Sequence, residues 1–205
     1  MKTIVNRAEA EHVEKKSRFI AAAVPVTSEE EAASAINEIR KRHYDARHNV
    51  FAYVIRNSEG RGVTKRFSDD GEPSGTAGAP VLNVIEGLGL SDALIVVTRY
   101  FGGTLLGAGG LVRAYSKAAK MAVEAAEIVE KLPYTETKVV VSYHQSGKTR
   151  YDIENGGFTI TAADFGADVT FTVLVGTDKT EQFLNMITDA TNATAIIEQG
   201  ENVFC

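Results

Sequence analysis

Turn-forming and charged residues are concentrated in one stretch of the sequence, Arg66-Phe67-Ser68-Asp69-Asp70-Gly71-Glu72-Pro73-Ser74-Gly75-Thr76-Ala77-Gly78-Ala79-Pro80. Three carboxylates, those of Asp69, Asp70 and Glu72, precede the sequence Gly75-Thr76-Ala77-Gly78, which is typical of the start of a helix. Backbone N–H groups are unpaired at a helix start and favour anions. The stretch therefore predicts a functional site.

A second glycine-rich stretch follows an apolar run, residues 92–98, that is typical of a strand covered on both faces. It reads Arg99-Tyr100-Phe101-Gly102-Gly103-Thr104-Leu105-Leu106-Gly107-Ala108-Gly109-Gly110 and leads into a long helix that carries Arg113. Glycine-rich turns let backbone N–H groups approach an anion, and arginines make forked contacts to phosphate. We therefore expect an anion-binding cleft formed by His48, Asp69, Asp70, Glu72, Gly75, Thr76, Gly78, Arg99, Tyr100, Gly102, Gly103, Gly107 and Arg113.

Familiar catalytic templates do not fit these stretches. Val112 stands where a dinucleotide fingerprint starting at Gly107 needs its third glycine, and Ala108 and Gly109 occupy the Lys and Ser/Thr positions of a phosphate-binding loop. There is no Gly-x-Ser-x-Gly elbow, and the lone cysteine, Cys205, stands at the end of the sequence. The histidines lack zinc-ligand spacing. We therefore expect no metal and no cofactor.

Three alternatives remain open, and the third is a protein-interaction module that uses the acidic C-terminal third of the chain. In the first, the chain is an enzyme or binding protein for a small phosphorylated ligand, with Asp69 or Asp70 as base or Mg²⁺ ligand. In the second, the three carboxylates pair with Arg66, Arg99 and Arg113 and only fix two loops, because ion-pair networks also gather at loops without function.

The pattern of apolar residues predicts two domains, 1–130 and 131–205, because the composition changes near residue 130 and Pro133 cannot continue a helix. In the first domain, the strands predicted are 3–7 and 17–26, which pair, and then 48–55 and 92–98. A capping box, Ser28 to Glu31, starts the first helix. Helices are also expected after Gly78 and after Gly110.

The second domain has the predicted element order β-α-β-β-α-β, with Asp178 capping its second helix. This order is typical of a ferredoxin-like split βαβ unit, so the fold class is α+β. The net charge of −5 lies wholly in this domain, since residues 1–130 hold 17 basic and 17 acidic residues. Bulk charge therefore does not support a wholly basic nucleic-acid-binding face, although a local patch remains possible.

Apolar runs in the sequence are all shorter than a membrane span, and the first residues lack the apolar core of a signal peptide. We therefore expect a cytoplasmic protein without a membrane partner.

The two glycine-rich stretches, Ser68 to Pro80 and Val96 to Tyr115, resemble those of the IMPACT/YigZ family. The likeness extends to Lys15-Lys16-Ser17-Arg18-Phe19 and to His48-Asn49-Val50-Phe51-Ala52-Tyr53, and covers nearly the whole chain. It implies a first domain with the left-handed βαβ fold of the second domain of ribosomal protein S-five, followed by a ferredoxin-like domain. That pair is similar to the fourth and fifth domains of elongation factor G.

From this resemblance we expect a non-enzymatic, translation-linked regulator with nucleic-acid binding. Its expected partner is RNA, the ribosome or a translation factor, held at the cleft described above. Eukaryotic relatives with the first domain are implicated in translational control through a partner of a kinase that phosphorylates an initiation factor. The resemblance does not extend to their additional N-terminal domain, so we do not expect the chain to require that partner. Likeness of fold is an associational argument.

Overall fold

The computed structural model describes residues 1–57 and 62–204 of the chain. The chain divides into two compact units, Met1–Glu130 and Lys131–Cys205. The described residues form five α-helices and three β-sheets, so the predicted mixture of helix and sheet is confirmed. Residues 58–61 and Cys205 lie outside the described residues.

The described residues of the first unit form seven strands and three α-helices. The strands are β1 (Lys2–Ile4), β2 (Ala8–Glu14), β3 (Ser17–Pro25), β4 (His48–Arg56), β5 (Val63–Ser68), β6 (Ala93–Tyr100) and β7 (Ile128–Glu130). The helices are α1 (Glu29–Arg42), α2 (Gly78–Gly87) and α3 (Ala108–Glu124). Five strands form one antiparallel sheet in the order β2-β3-β6-β4-β5, and β1 pairs with β7 in a second sheet.

The five-stranded sheet is covered on both faces, and β6 lies at its centre. Side chains of a strand alternate between faces, so Leu94 and Val96 pack against Ile36 of α1, whereas Ile95 and Val97 face the core beneath α2 and α3. Seven of the eight β6 residues are buried. The prediction of a strand covered on both faces is therefore confirmed.

Helix α1 begins at the predicted capping box. Ser28 Oγ accepts a hydrogen bond from the Glu31 backbone N–H (3.2 Å), and Glu31 Oε2 accepts one from the Thr27 backbone N–H (2.7 Å). The first bond satisfies a donor that the helix start leaves unpaired, and the second ties the residue before the cap to the first turn. The helix joins β3 to β4, which flank β6 and run antiparallel to it, so β3-α1-β4 is a crossover between parallel strands.

The predicted pairing of residues 3–7 with residues 17–26 is wrong. Strand β2 is the partner of β3, while β1 pairs with β7. Strand β2 contains Glu9, Glu11 and Glu14, which have low β-propensity, but it lies at the edge of the sheet, where these side chains reach water. Strand β5, at the other edge, is also mostly exposed and has no clear apolar alternation.

The second unit contains β8 (Pro133–Val141), α4 (Tyr143–Asn155), β9 (Thr159–Phe165), β10 (Val169–Gly176), α5 (Thr180–Thr191) and β11 (Ile196–Phe204). This is the predicted order of elements. The strands form an antiparallel sheet in the order β11-β8-β10-β9, with Phe171 and Phe183 in the core. Asp178 does not cap α5, because a 3-10 turn, Thr177–Lys179, precedes the helix and Lys179 occupies the cap position.

Candidate functional site

Four connections of the first unit meet at one end of the five-stranded sheet. They are the β2–β3 turn, the α1–β4 loop, the β5–α2 loop and the β6–α3 loop. The strand register brings them together, since His48 at the start of β4 and Phe19 near the start of β3 both pair with Arg99 near the end of β6. We call this region the loop end. It contains both glycine-rich stretches.

Asp69 occupies the start of α2. Its Oδ1 accepts hydrogen bonds from the backbone N–H groups of Ala77 (3.0 Å) and Gly78 (2.8 Å), and its Oδ2 accepts one from Gly75 (2.8 Å). The Thr76 hydroxyl closes the same loop by donating to the Pro73 carbonyl (2.6 Å). The backbone N–H groups at the start of α2, which the sequence predicts to bind an external anion, therefore bind a carboxylate of the protein itself.

Asp70 joins α1 to β4. Its Oδ1 lies 2.8 Å from Arg40 Nη2, and its Oδ2 accepts a hydrogen bond from the Asn49 backbone N–H (2.7 Å). Asp70 has φ = 44°, the left-handed region that a non-glycine residue seldom adopts. Its carbonyl oxygen lies 2.8 Å from His48 Nδ1. Asp70 is thus engaged through both carboxylate oxygens and through its main chain.

Glu72 forms the buried centre of the loop end. Its Oε1 accepts hydrogen bonds from Arg99 Nη1 (2.6 Å) and from the Tyr115 hydroxyl (2.7 Å), and it lies 4.0 Å from His48 Nε2. Burial, followed by the charge of Glu72, raises the pKa of Tyr115 well above its ordinary value, so this hydroxyl remains a donor. Arg99 also stacks beside Phe19, with Cζ 5.4 Å from the ring centroid.

A cavity of about 440 Å³ opens above Glu72 and Arg99. Its polar end is formed by His48, Glu72 and Arg99. Its remaining walls are mostly apolar and come from the β5–α2 loop, the β6–α3 loop and the first turns of α3. They consist of Pro73, Phe101, Leu105, Leu106, Gly107, Ala108 and Leu111, with Arg47 also in contact.

Gly102 and Gly107 shape the β6–α3 loop. A Cβ built on Gly102 would lie 2.0 Å from the carbonyl carbon of Lys16, so only glycine lets this loop cross the β2–β3 turn. Gly107 has φ = 71° and is the N-cap of α3, where no side chain caps the helix and no acidic residue lies in the first turn. In the part of the chain that the structure describes, α3 rather than α2 presents uncapped N–H groups.

Exposed cations surround the loop end. Lys15 and Lys16 form the β2–β3 turn, Arg47 precedes β4 and Arg113 lies in α3. A Cβ built on Gly109 would lie 3.6 Å from Arg113 Nη1, so this guanidinium sits beside the first turn of α3. None of the four has an ion-pair partner among residues 1–57 and 62–204.

The structure gathers only some of the predicted site residues around the cavity. His48, Glu72, Arg99 and Gly107 line it. Tyr100 points to the opposite face of the sheet, where its hydroxyl donates to Asp45 (2.9 Å from Oδ1). The other predicted residues are not in the cavity lining. They are Asp69, Asp70, Gly75, Thr76, Gly78, Gly102, Gly103 and Arg113.

Ion pairing at the loop end differs in detail from the predicted carboxylate–arginine pairs. Glu72 pairs with Arg99, as that alternative expects. Asp70 pairs with Arg40, whereas Arg66 lies 3.8 Å from Glu29 on the α1 side of the sheet. Sequence reasoning did not find Arg40, Arg47 or Tyr115. The position of Arg40 in the basic last turn of α1 and that of Arg47 just before β4 could have indicated these two residues. In the sequence, Tyr115 looks like any other core residue of α3.

Neither a metal centre nor a membrane span is formed by the described residues. Within those ranges, no group of three or more His, Cys, Asp or Glu side chains is arranged to hold a metal ion. No helix there is both long enough and apolar enough to span a membrane.

Comparison with known families gives two matches along the chain. Residues 15–123 match the model of the Impact N-terminal domain, and this range contains the loop end and four strands of the five-stranded sheet, all but β2. Residues 139–194 match a domain of unknown function, DUF1949, which falls in the second unit.

Individual relatives extend over both units. IMPACT family member YvyE of Bacillus subtilis is 37% identical over 199 residues, which cover 97% of this chain and 90% of the relative. IMPACT family member YigZ of Escherichia coli is 36% identical and covers 85% of each chain. A solved structure described as a hypothetical protein superposes with a TM-score of 0.66 at 32% identity, covering 98% of this chain and 97% of that one. The chain therefore belongs to the IMPACT family.

Proposed function

We propose that this chain is a non-enzymatic, cytoplasmic RNA-binding protein linked to translation, and that the loop end of the first unit contacts RNA phosphates. The observation that carries the proposal is the group of four exposed cations, Lys15, Lys16, Arg47 and Arg113, none of which has an acidic partner among the described residues. Lysine and arginine contacts to phosphate supply most of the affinity of non-specific RNA binding.

The distribution of charge supports this location. Residues 1–130 carry equal numbers of basic and acidic residues, yet many of their cations are held in ion pairs away from the cavity, such as Arg7 with Glu38 and Lys65 with Glu86. The uncapped start of α3 adds partial positive charge at the same end of the sheet. The sequence predicts anion binding at the start of α2. We propose instead that anions bind at the start of α3, beside Arg113.

The fold supplies a second, weaker argument. We propose that the β3-α1-β4 crossover of the first unit is the left-handed βαβ fold and that the second unit is ferredoxin-like, as the family resemblance implies. The observed element orders are compatible with both. Because one fold hosts many functions, the translation link rests on resemblance and the RNA contact rests on the cations.

The test is fluorescence anisotropy with a structured RNA hairpin at several salt concentrations. A variant with Lys15→Ser, Lys16→Ser, Arg47→Ser and Arg113→Ser is expected to bind RNA more weakly. The slope of log binding constant against log salt concentration should also become less negative, by roughly 0.7 to 0.9 for each phosphate that is no longer neutralised. The matched control replaces Lys138, Lys148, Arg150 and Lys179 of the second unit with Ser, the same change in net charge.

Equal binding by both variants would show that total charge, rather than the loop end, attracts RNA. No binding by the unmodified protein at low salt would refute RNA binding altogether.

The enzyme alternative with Asp69 or Asp70 as base or Mg²⁺ ligand has less support. Both oxygens of Asp69 accept backbone hydrogen bonds, and both oxygens of Asp70 are bound by Arg40 and by the Asn49 N–H. Neither carboxylate lines the cavity, and a general base must lie within hydrogen-bond reach of its substrate. A thermal-shift screen of sugar phosphates and nucleotides with and without Mg²⁺ tests this alternative, since ligands of the native state raise the unfolding temperature.

A further inference from the structure

The cavity at the loop end has the size and composition of a site for a small planar group. Its volume of about 440 Å³ lies in the range of roughly 300 to 1,000 Å³ that is typical of ligand sites. Apolar side chains such as Phe101, Leu106 and Leu111 form most of its walls, and three polar side chains, those of His48, Glu72 and Arg99, lie together at one end. An apolar ring with a polar edge fits this division.

His48 presents a hydrogen-bond acceptor at the polar end. Its Nδ1 lies 2.8 Å from the carbonyl oxygen of Asp70, which can only accept, so Nδ1 carries the proton. In the neutral ring, Nε2 therefore has the free lone pair. This nitrogen lies 4.0 Å from Glu72 Oε1, too far for a direct hydrogen bond.

Glu72 presents a second acceptor beside the first. Its Oε1 already receives hydrogen bonds from Arg99 and Tyr115, but a carboxylate has about four acceptor sites on its two oxygens. Glu72 also lines the cavity. Two neighbouring acceptors favour a ligand with an amino group, whose two N–H bonds can reach both. The charges of Glu72 and Arg99 compensate each other at this end, and burying a further charge there would be costly, so the amino group should be neutral.

We propose that this cavity holds one unpaired RNA base that carries an exocyclic amino group, with its phosphates on the surrounding cations; this inference rests on the proposed RNA binding. Unpaired bases are commonly recognised by apolar and aromatic contacts to the ring and by hydrogen bonds to its edge. Adenine, cytosine and guanine carry such an amino group, whereas uracil does not. The cavity should therefore discriminate against uridine.

The experiment compares oligouridylates that are identical except for one central adenosine, cytidine or guanosine. We expect at least one of the three to bind about tenfold more tightly than the all-uridine strand, the scale of one or two added hydrogen bonds. Ala108→Phe should abolish the difference, because Ala108 is exposed in the first turn of α3 and a phenyl group there enters the cavity.

Two further variants distinguish a loss of base recognition in the cavity from a general effect of substitution on the protein. His48→Phe removes the Nε2 acceptor and should also remove the preference for an amino-bearing base. Ser34→Phe adds the same bulk at an exposed position of α1 and should retain the preference.

If all strands bind with equal affinity and the binding weakens with salt as phosphate contacts require, the base pocket is refuted and the proposed RNA binding is not. A preference that survives in Ala108→Phe would also overturn it. Absence of any binding would overturn the proposed function and the pocket together.

Discussion

Arg99 Nη1 and Glu72 Oε1 lie 2.6 Å apart, with only 7% and 4% of the two side chains exposed. The pair joins the end of β6 to the β5–α2 loop. Removing one member of a buried ion pair leaves the other charge without compensation, which is more costly than the pair itself is favourable. This relationship makes the loop end a source of stability for the first unit, in addition to its proposed binding role.

We expect Glu72→Gln to lower the free energy of unfolding of the first unit by about 3 to 5 kcal/mol, because Arg99 keeps its buried charge but loses its counterion. Urea unfolding monitored by circular dichroism measures the loss. Glu86→Gln is the control, since Glu86 pairs with Lys65 at the surface and its loss should cost less than about 1 kcal/mol. Similar losses in the two variants would contradict this account.

Asp69→Ala should destabilise the start of α2 by about 2 kcal/mol, the upper end of the range for a lost helix cap, because three backbone N–H groups lose one acceptor residue. Amide hydrogen exchange should accelerate at Gly75, Ala77 and Gly78. Glu124→Ala, which removes an exposed partner of Lys120, serves as the comparison and should change stability by less than about 0.5 kcal/mol. Unchanged exchange at the three amides would argue against the cap.

Gly102→Ala and Gly87→Ala should have effects of opposite sign. The methyl group at position 102 would collide with the main chain at Lys16, so we expect a loss of about 3 kcal/mol or more. Gly87 ends α2 with open space around its Cα, and alanine there should stabilise by up to about 1 kcal/mol. Thermal unfolding of both variants measures the contrast. A Gly102→Ala protein as stable as the unmodified one would disprove the close approach.

His12 should make stability depend on pH. Burial, and then the charge of Lys117, lowers its pKa in the folded protein, although nearby Glu14 opposes the shift. The unfolded chain therefore binds more protons. The stabilisation is complete above the unfolded pKa of about 6.5 and is lost as the pH falls through that value towards the lower folded pKa.

We therefore expect His12→Gln to lose less stability than the unmodified protein between about pH 7.5 and about pH 5. Urea unfolding at the two pH values measures the difference. An NMR titration of the His12 ring gives the folded pKa directly, and a value above that of an unfolded peptide would refute the prediction.

Elements that depend on local pattern could be predicted from the sequence. The apolar run of β6 and the capping box of Ser28 and Glu31 each specify an element through neighbours in the chain, and both are confirmed. Strand β2 could not be found in this way, because its inward positions hold only Ala8, Ala10 and His12, which give a weak apolar signal between the exposed glutamates.

The sequence predicted that the two glycine-rich stretches form one site, and the structure places both at the same end of the sheet. The sequence did not predict how their charged residues pair. The partners of their charged residues depend on contacts across the fold, because Glu72 is separated from Arg99 by 27 positions and from Tyr115 by 43. No local rule predicts that Asp69 folds back on the start of α2 rather than facing a ligand.

The cap that Asp69 forms on α2 has a consequence for the thermodynamics of recognition. Because the β5–α2 loop already satisfies its own backbone donors, it is organised before any ligand arrives. A ligand of the adjoining cavity then loses little affinity to the ordering of this loop. Binding of such a ligand should lower the heat capacity only by the amount expected for the apolar surface that the ligand buries. The larger decrease that is seen when a loop folds on binding should be absent.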